Sequence, residues 1–138
     1  MHKRALLSLL IAVGSLRTIA SAQTGIVVIG HPGIEKIDAV TVERIFTGKI
    51  VELAGVSVKP INIISGSALR ARFLQIYLNQ DEDRYVAYWT VRRYIGKGVP
   101  PRELSGASEV IRFVQSTPGA IGYIDETYLT PGLNIVPR

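Results

Sequence analysis

The segment Ser65-Gly66-Ser67-Ala68-Leu69-Arg70 carries the residue types best suited to chemistry in this chain. Serine is a preferred helix cap, and the helix end behind it holds partial positive charge and unpaired backbone N–H groups. With Ser67 as the cap, Ala68, Leu69 and Arg70 are the first three helical residues, and their amides point out of the helix end. Gly66 lets a ligand approach the backbone closely. The Ser65 and Ser67 hydroxyls add donors, and Arg70 offers a two-pronged contact to an oxyanion. A cation in a first turn is unfavourable by about 0.3–1 kcal/mol unless a negative group answers it. Two readings follow. Either residues 65–70 hold a small phosphate-like anion, or Ser67 is a plain cap and Arg70 faces an acid of the chain or water.

Other chemistry is thinly represented. The sequence has two histidines and no cysteine, and it lacks HExxH, CxxC, a Walker lysine and a Gly-x-Ser-x-Gly elbow. His31 sits on a Pro-Gly turn and reads as a surface histidine, not a base. No set of residues has metal-ligand spacing. The expectation is a non-enzyme with no catalytic residues, no metal and no cofactor. Gly122, inside an apolar run, marks a close approach by a ligand or by a helix packed across a sheet. Tyr85, Tyr88 and Trp89 at helical spacing suit a core, and Arg92, Arg93 and Lys97 suit a solvated helix C-terminus. No nucleic-acid partner is expected.

The elements that position these residues can be read from periodicity. Ile26–Ile29 is a continuous apolar run of the buried-strand kind, followed by a His31-Pro32-Gly33 turn. Asp38 caps a helix to Thr47, closed by Gly48, with Ile37 and Val42 as a hydrophobic staple. Ile50 to Lys59 suggests a ribbon turning at Ala54-Gly55, and Ile61–Ile64 a second buried strand. In the helix after Ser67, the spacing puts Leu69, Phe73, Ile76 and Tyr77 on the core face. A third helix runs from Asp81-Glu82-Asp83 to Gly96. Residues 97–101 form a proline-held loop. Ser105 is the expected cap of a fourth helix bearing Ala107, Val110, Phe113 and Val114, and residues 120–124 and 133–136 are the last strands. Alternating strands and helices argue an α/β sheet domain.

The first 22 residues read as a leader. Met1-His2-Lys3-Arg4, an apolar run from Ala5 to Leu16 and Ala20-Ser21-Ala22 match a cleavable secretory signal peptide. Its removal takes Lys3, Arg4 and Arg17 and no acid. Sixteen cations become thirteen against eleven acids, and the net charge falls from +5 to +2. The expected organisation is a signal peptide over 1–22 and one domain over 23–138, in the periplasm.

Several segments together resemble the phosphate-binding proteins of ABC phosphate transporters, within the class II periplasmic binding fold. They are Val42-Glu43-Arg44-Ile45-Phe46-Thr47-Gly48, Pro60-Ile61-Asn62, Gly66-Ser67-Ala68-Leu69-Arg70 with Phe73, Tyr88-Trp89, Gly96-Lys97-Gly98 with Pro100-Pro101, and Pro118-Gly119-Ala120-Ile121-Gly122-Tyr123. Their order is similar to that of a small, single-lobe subgroup. The resemblance implies one α/β lobe, a twisted, mainly parallel or mixed sheet flanked by about four helices, with phosphate held at helix N-termini. It places the family's Ser-Gly-Thr phosphate loop on Ser65-Gly66-Ser67. Two departures stand out. The full-length proteins carry an arginine and an acid where this chain has Ile61 and Ile63, and they close two lobes over the ligand. The implied function is a solute-binding-like protein for phosphate or a similar oxyanion, in transport or sensing. The alternative is a protein-interaction or accessory module that keeps the lobe without the ligand. Its partners would be a second lobe, another copy of itself or an inner-membrane assembly.

Overall fold

The computed structural model describes residues 25–137, so the expected leader over 1–22 lies outside the described residues. In chain order the elements are β1 (Ile26–Gly30), α1 (Ala39–Phe46), β2 (Glu52–Leu53), β3 (Val56–Ser57), β4 (Lys59–Ile63) and α2 (Ala68–Phe73). Then come α3 (Glu82–Tyr94), β5 (Arg102–Leu104), α4 (Ala107–Ser116), β6 (Ala120–Asp125) and β7 (Asn134–Ile135). The main sheet has the order β5-β4-β6-β1-β7. β4 pairs in parallel with β5 and β6, whereas β1 runs antiparallel to β6 and β7. Four strands therefore share one direction and β1 is reversed, the mixed α/β lobe that the sequence implies. β2 and β3 form a separate hairpin, turning at Ala54 (φ 49°) and Gly55 (φ 83°).

Helices cover both faces, which is why β1 and β6 are apolar runs rather than alternating ones. Successive residues of β6 show the two layers. Gly122 faces α4, where an added Cβ would lie 2.8 Å from Val110 Cγ1. Its lack of a side chain is what lets α4 seat on the sheet, which decides between the two expectations for this glycine. Tyr123 faces the other way and stacks on Phe73 of α2, with ring centroids 3.9 Å apart, and Phe46 of α1 packs edge-on to Phe73. The core of Val42, Ile45, Phe46, Phe73, Leu74, Tyr85 and Tyr123 lies on this side.

Two local expectations are corrected. Ile76 does not join the core; it is 45 % exposed, and Leu74 and Leu78 are buried instead. After Phe73 the helix widens into a π-helical turn over Leu74–Leu78, which rotates every later side chain relative to an α-helix. Asn79, left-handed at φ 52°, ends it. Ser105 is not the cap of α4: Gly106 is, without a side-chain bond, because Glu109 in the first turn reaches back to the Ser105 N–H at 3.2 Å. The loop before it ends at residue 101 as expected, and the edge strand β5, too short to show periodicity, follows it. Among the described residues no helix is long and apolar enough to cross a membrane.

Candidate functional site

Ser67 caps α2 as its sequence requires. Its extended backbone ends the loop, and its hydroxyl accepts from the amides of Leu69 (3.1 Å) and Arg70 (3.4 Å). Two of the three amides expected to face an anion are thus already engaged within the cap. Gly66 beside it has φ +89°, a left-handed conformation that favours glycine, and open space where a Cβ would stand. Residues 65–70 are brought together as a loop and first turn, with Ser65 and Gly66 exposed, Ser67 half-buried and Arg70 buried.

Arg70 decides the character of the site. It is 3 % exposed, and its guanidinium makes a two-pronged contact with Glu82, Nε to Oε2 and Nη2 to Oε1, both 2.8 Å. Nη1 donates to Glu103 Oε2 at 2.8 Å and to the Ile63 carbonyl at 3.1 Å. Four short bonds of this kind leave little donor capacity in a group with five N–H bonds. The Ser65 hydroxyl also donates to Glu82, on Oε1. Burial alone would lower the Arg70 pKa, but the bonds to Glu82 and Glu103 outweigh it and hold the guanidinium above its ordinary value. One cation set against two carboxylates gives the cluster a net charge of −1.

Sequence reasoning missed both acids, and for different reasons. Glu82 reads as one of three acids suited to a helix start. Asp81 does take that role, its carboxylate accepting from the Arg84 amide at 2.8 Å, but Glu82 turns back toward α2. Glu103 belongs to β5, whose parallel register sets it opposite Asn62 on β4 and so beside the end of α2. A buried arginine requires carboxylates, and that requirement was the one available signal.

Behind the cluster runs a buried chain of polar groups. The Ile63 amide donates to the Tyr123 hydroxyl, which donates to Asn62 Oδ1 at 3.0 Å. Asn62 Nδ2 donates to the Tyr85 hydroxyl, which donates to the Phe46 carbonyl at 2.9 Å. The Tyr85 ring also lies 5.5 Å below the Arg70 guanidinium. Burial pushes both phenols up from their usual pKa. A cleft of about 240 Å³ opens beside the cluster, with Ser65, Arg70, Tyr85, Trp89, Arg93 and Glu103 on its walls. It has room for a small ion, and the charge it presents is mixed.

The other candidates resolve into structural roles. His31 sets Nδ1 3.0 Å from the Val114 carbonyl, an anchor between the first turn and α4. Tyr85 and Trp89 are core residues and Tyr88 bonds the Thr47 carbonyl at 2.6 Å. Arg92 is not simply solvated: it lies over the Tyr88 and Trp89 rings, while Arg93 and Lys97 are exposed. Among the described residues no three His, Cys, Asp or Glu side chains group closely enough to hold a metal ion.

No protein-family model matches the chain, and no curated protein matches it in sequence. Solved structures do match it. A protein from Clostridium perfringens described as a phosphate ABC transporter substrate-binding protein, solved with bound phosphate, aligns at a TM-score of 0.64 and 22% identity, over 81% of this chain and 44% of its own. PstS from Borrelia burgdorferi aligns at 0.60 and 21% identity, over 82% and 46%. An ABC-type phosphate transport receptor from Vibrio cholerae aligns at 0.57 and 10% identity, over 88% and 52%. The chain spans about half the length of each. The fold is therefore that of phosphate-transporter substrate-binding proteins, and the Clostridium perfringens and Vibrio cholerae neighbours are described as a substrate-binding protein and a transport receptor.

Proposed function

We propose that this chain is an exported, non-catalytic lobe of the solute-binding type whose oxyanion loop is closed by its own carboxylates, and that it works as an interaction or accessory module at a membrane assembly. One observation carries the reading. Glu82 occupies both groups best placed to hold a free anion, the Ser65 hydroxyl and the Arg70 guanidinium. An incoming phosphate would have to displace that carboxylate and would still meet Glu103. A like charge at 4 Å costs about 4 kcal/mol at the effective dielectric of a protein surface. One lobe supplies one wall of a cleft, so the enclosure that strengthens anion contacts would require a second wall opposite it.

A second reading keeps Ser65, Gly66, Ser67, Ala68, Leu69 and Arg70 as the contact set for phosphate. The open space at Gly66 and the phosphate bound to the Clostridium perfringens neighbour favour it. Calorimetric titration of the protein with phosphate and with sulfate separates the two. The closed loop predicts no heat at 10 mM for the native chain, and measurable binding once Glu82→Gln removes the competing charge. Binding by the native chain that disappears in Arg70→Ala would replace the first reading with the second.

A further inference from the structure

Among the described residues helix α3 has one face without a partner, and that face is complementary to itself. Asp83, Ala87, Thr90 and Tyr94 follow one another at spacings of four, three and four, so they form one ridge, with Val86 and Val91 on its flanks. All six are exposed, and Tyr94 is 90 % exposed. The ridge is acidic at its first turn and ends beside Arg93. Neither Asp83 nor Arg93 has an ion-pair partner among the described residues, where the salt bridges are those of Arg70 and Arg72.

We infer that this face is an isologous interface between two copies of the chain, with the two α3 helices crossing antiparallel about a two-fold axis between Ala87 and Thr90. That axis sets Val86 against Thr90 of the second copy and Val91 against Ala87, and it brings Asp83 to the second copy's Arg93 and Tyr94, with each contact made twice. The small side chains of Ala87 and Thr90 at the centre let the helices approach. Charge complementarity selects a second copy as the occupant, because both the acidic end and the basic end lie on one helix and reversing that helix pairs them. The inference stands whether or not the Ser65 loop takes an anion.

The 13-residue helix is about 20 Å long. A face of that length falls short of the ~800 Å² per partner of a standard interface, so the dimer is weak, with Kd on the order of 10–100 µM. Sedimentation velocity of the purified protein from 5 to 500 µM tests this. The expected result is a monomer–dimer equilibrium that weakens in high salt, falls at least tenfold in Asp83→Arg and in Arg93→Asp, and returns in the double variant carrying both changes. Circular dichroism confirms that each variant folds, and the restoring double variant excludes simple misfolding. A monomer at every concentration overturns the inference, as does a dimer indifferent to these changes. Protection of α3 from hydrogen exchange by residues 1–24 or only in the presence of another protein would assign the face elsewhere and also overturn it.

Discussion

Arg70 shows how a residue can be conspicuous in the sequence while its role stays hidden. A cation in the first turn of a capped helix needs a negative group, and that much is local information. Which group supplies it is not local: Glu82 lies 12 residues on and Glu103 lies 33. The second becomes a neighbour only through the pairing of β5 with β4. The energetic consequence is specific. In Arg70→Met, Glu82 and Glu103 are left close together with no cation between them, and the Ile63 carbonyl loses a donor. Breaking a buried pair from one side costs about 3–5 kcal/mol, but both acids keep contact with water, so about 2–4 kcal/mol is expected here. Glu82→Gln leaves Arg70 answered by Glu103 and costs about 1 kcal/mol. Urea midpoints of the two variants check this, and equal losses would show that Glu103 does not share the charge.

At the scale of elements, periodicity carries far until the backbone departs from its period. Asp38 and Ser67 cap their helices, Ala54-Gly55 turns the ribbon, and the apolar runs at 26–30 and 120–125 become the central strands. The misassignment at Ile76 has a single cause. One wide turn over Leu74–Leu78 shifts the helix face, and no residue in Leu-Gln-Ile-Tyr-Leu announces it. β5 escaped notice because three residues cannot display a period of two. The shifted face makes opposite predictions for adjacent apolar residues. Ile76→Ser should change stability by less than about 0.5 kcal/mol, as for other exposed positions. Leu74→Ala empties a fully buried site between α2 and α1 and should cost about 2–4 kcal/mol. Thermal or urea unfolding of the pair distinguishes this arrangement from a regular helix, in which Ile76 would be the costly residue.

Across the whole molecule the layered α/β lobe was legible, because each helix stripe and strand run points to the same sheet. The engagement of the Ser65–Arg70 loop by Glu82 and Glu103 was not, since it depends on how three elements meet. The polar chain from the Ile63 amide to the Phe46 carbonyl ties strands β4 and β6 to α1 and α3, and it runs through the phenols of Tyr123 and Tyr85 in their neutral form. Burial raises the pKa of these two phenols, and of Tyr77, above the ordinary value. The unfolded chain releases those protons near pH 10 while the folded chain still holds them. Between the two values the folded state therefore binds more protons, and stability falls as pH rises. The contribution is fully present below about pH 10, and each buried tyrosine removes up to about 1.4 kcal/mol per pH unit above it. Denaturant titrations at pH 8, 9, 10 and 11 should show no tyrosine-linked loss between the first two and a steepening one beyond pH 10. Tyr77→Phe is the informative variant, because no hydrogen bond of its hydroxyl is found among the described residues and its removal leaves the polar chain intact. It should reduce the alkaline slope with little change in stability at pH 8. A slope unchanged by Tyr77→Phe would mean that this phenol titrates alike in the folded and unfolded chain, and that the alkaline loss has another source.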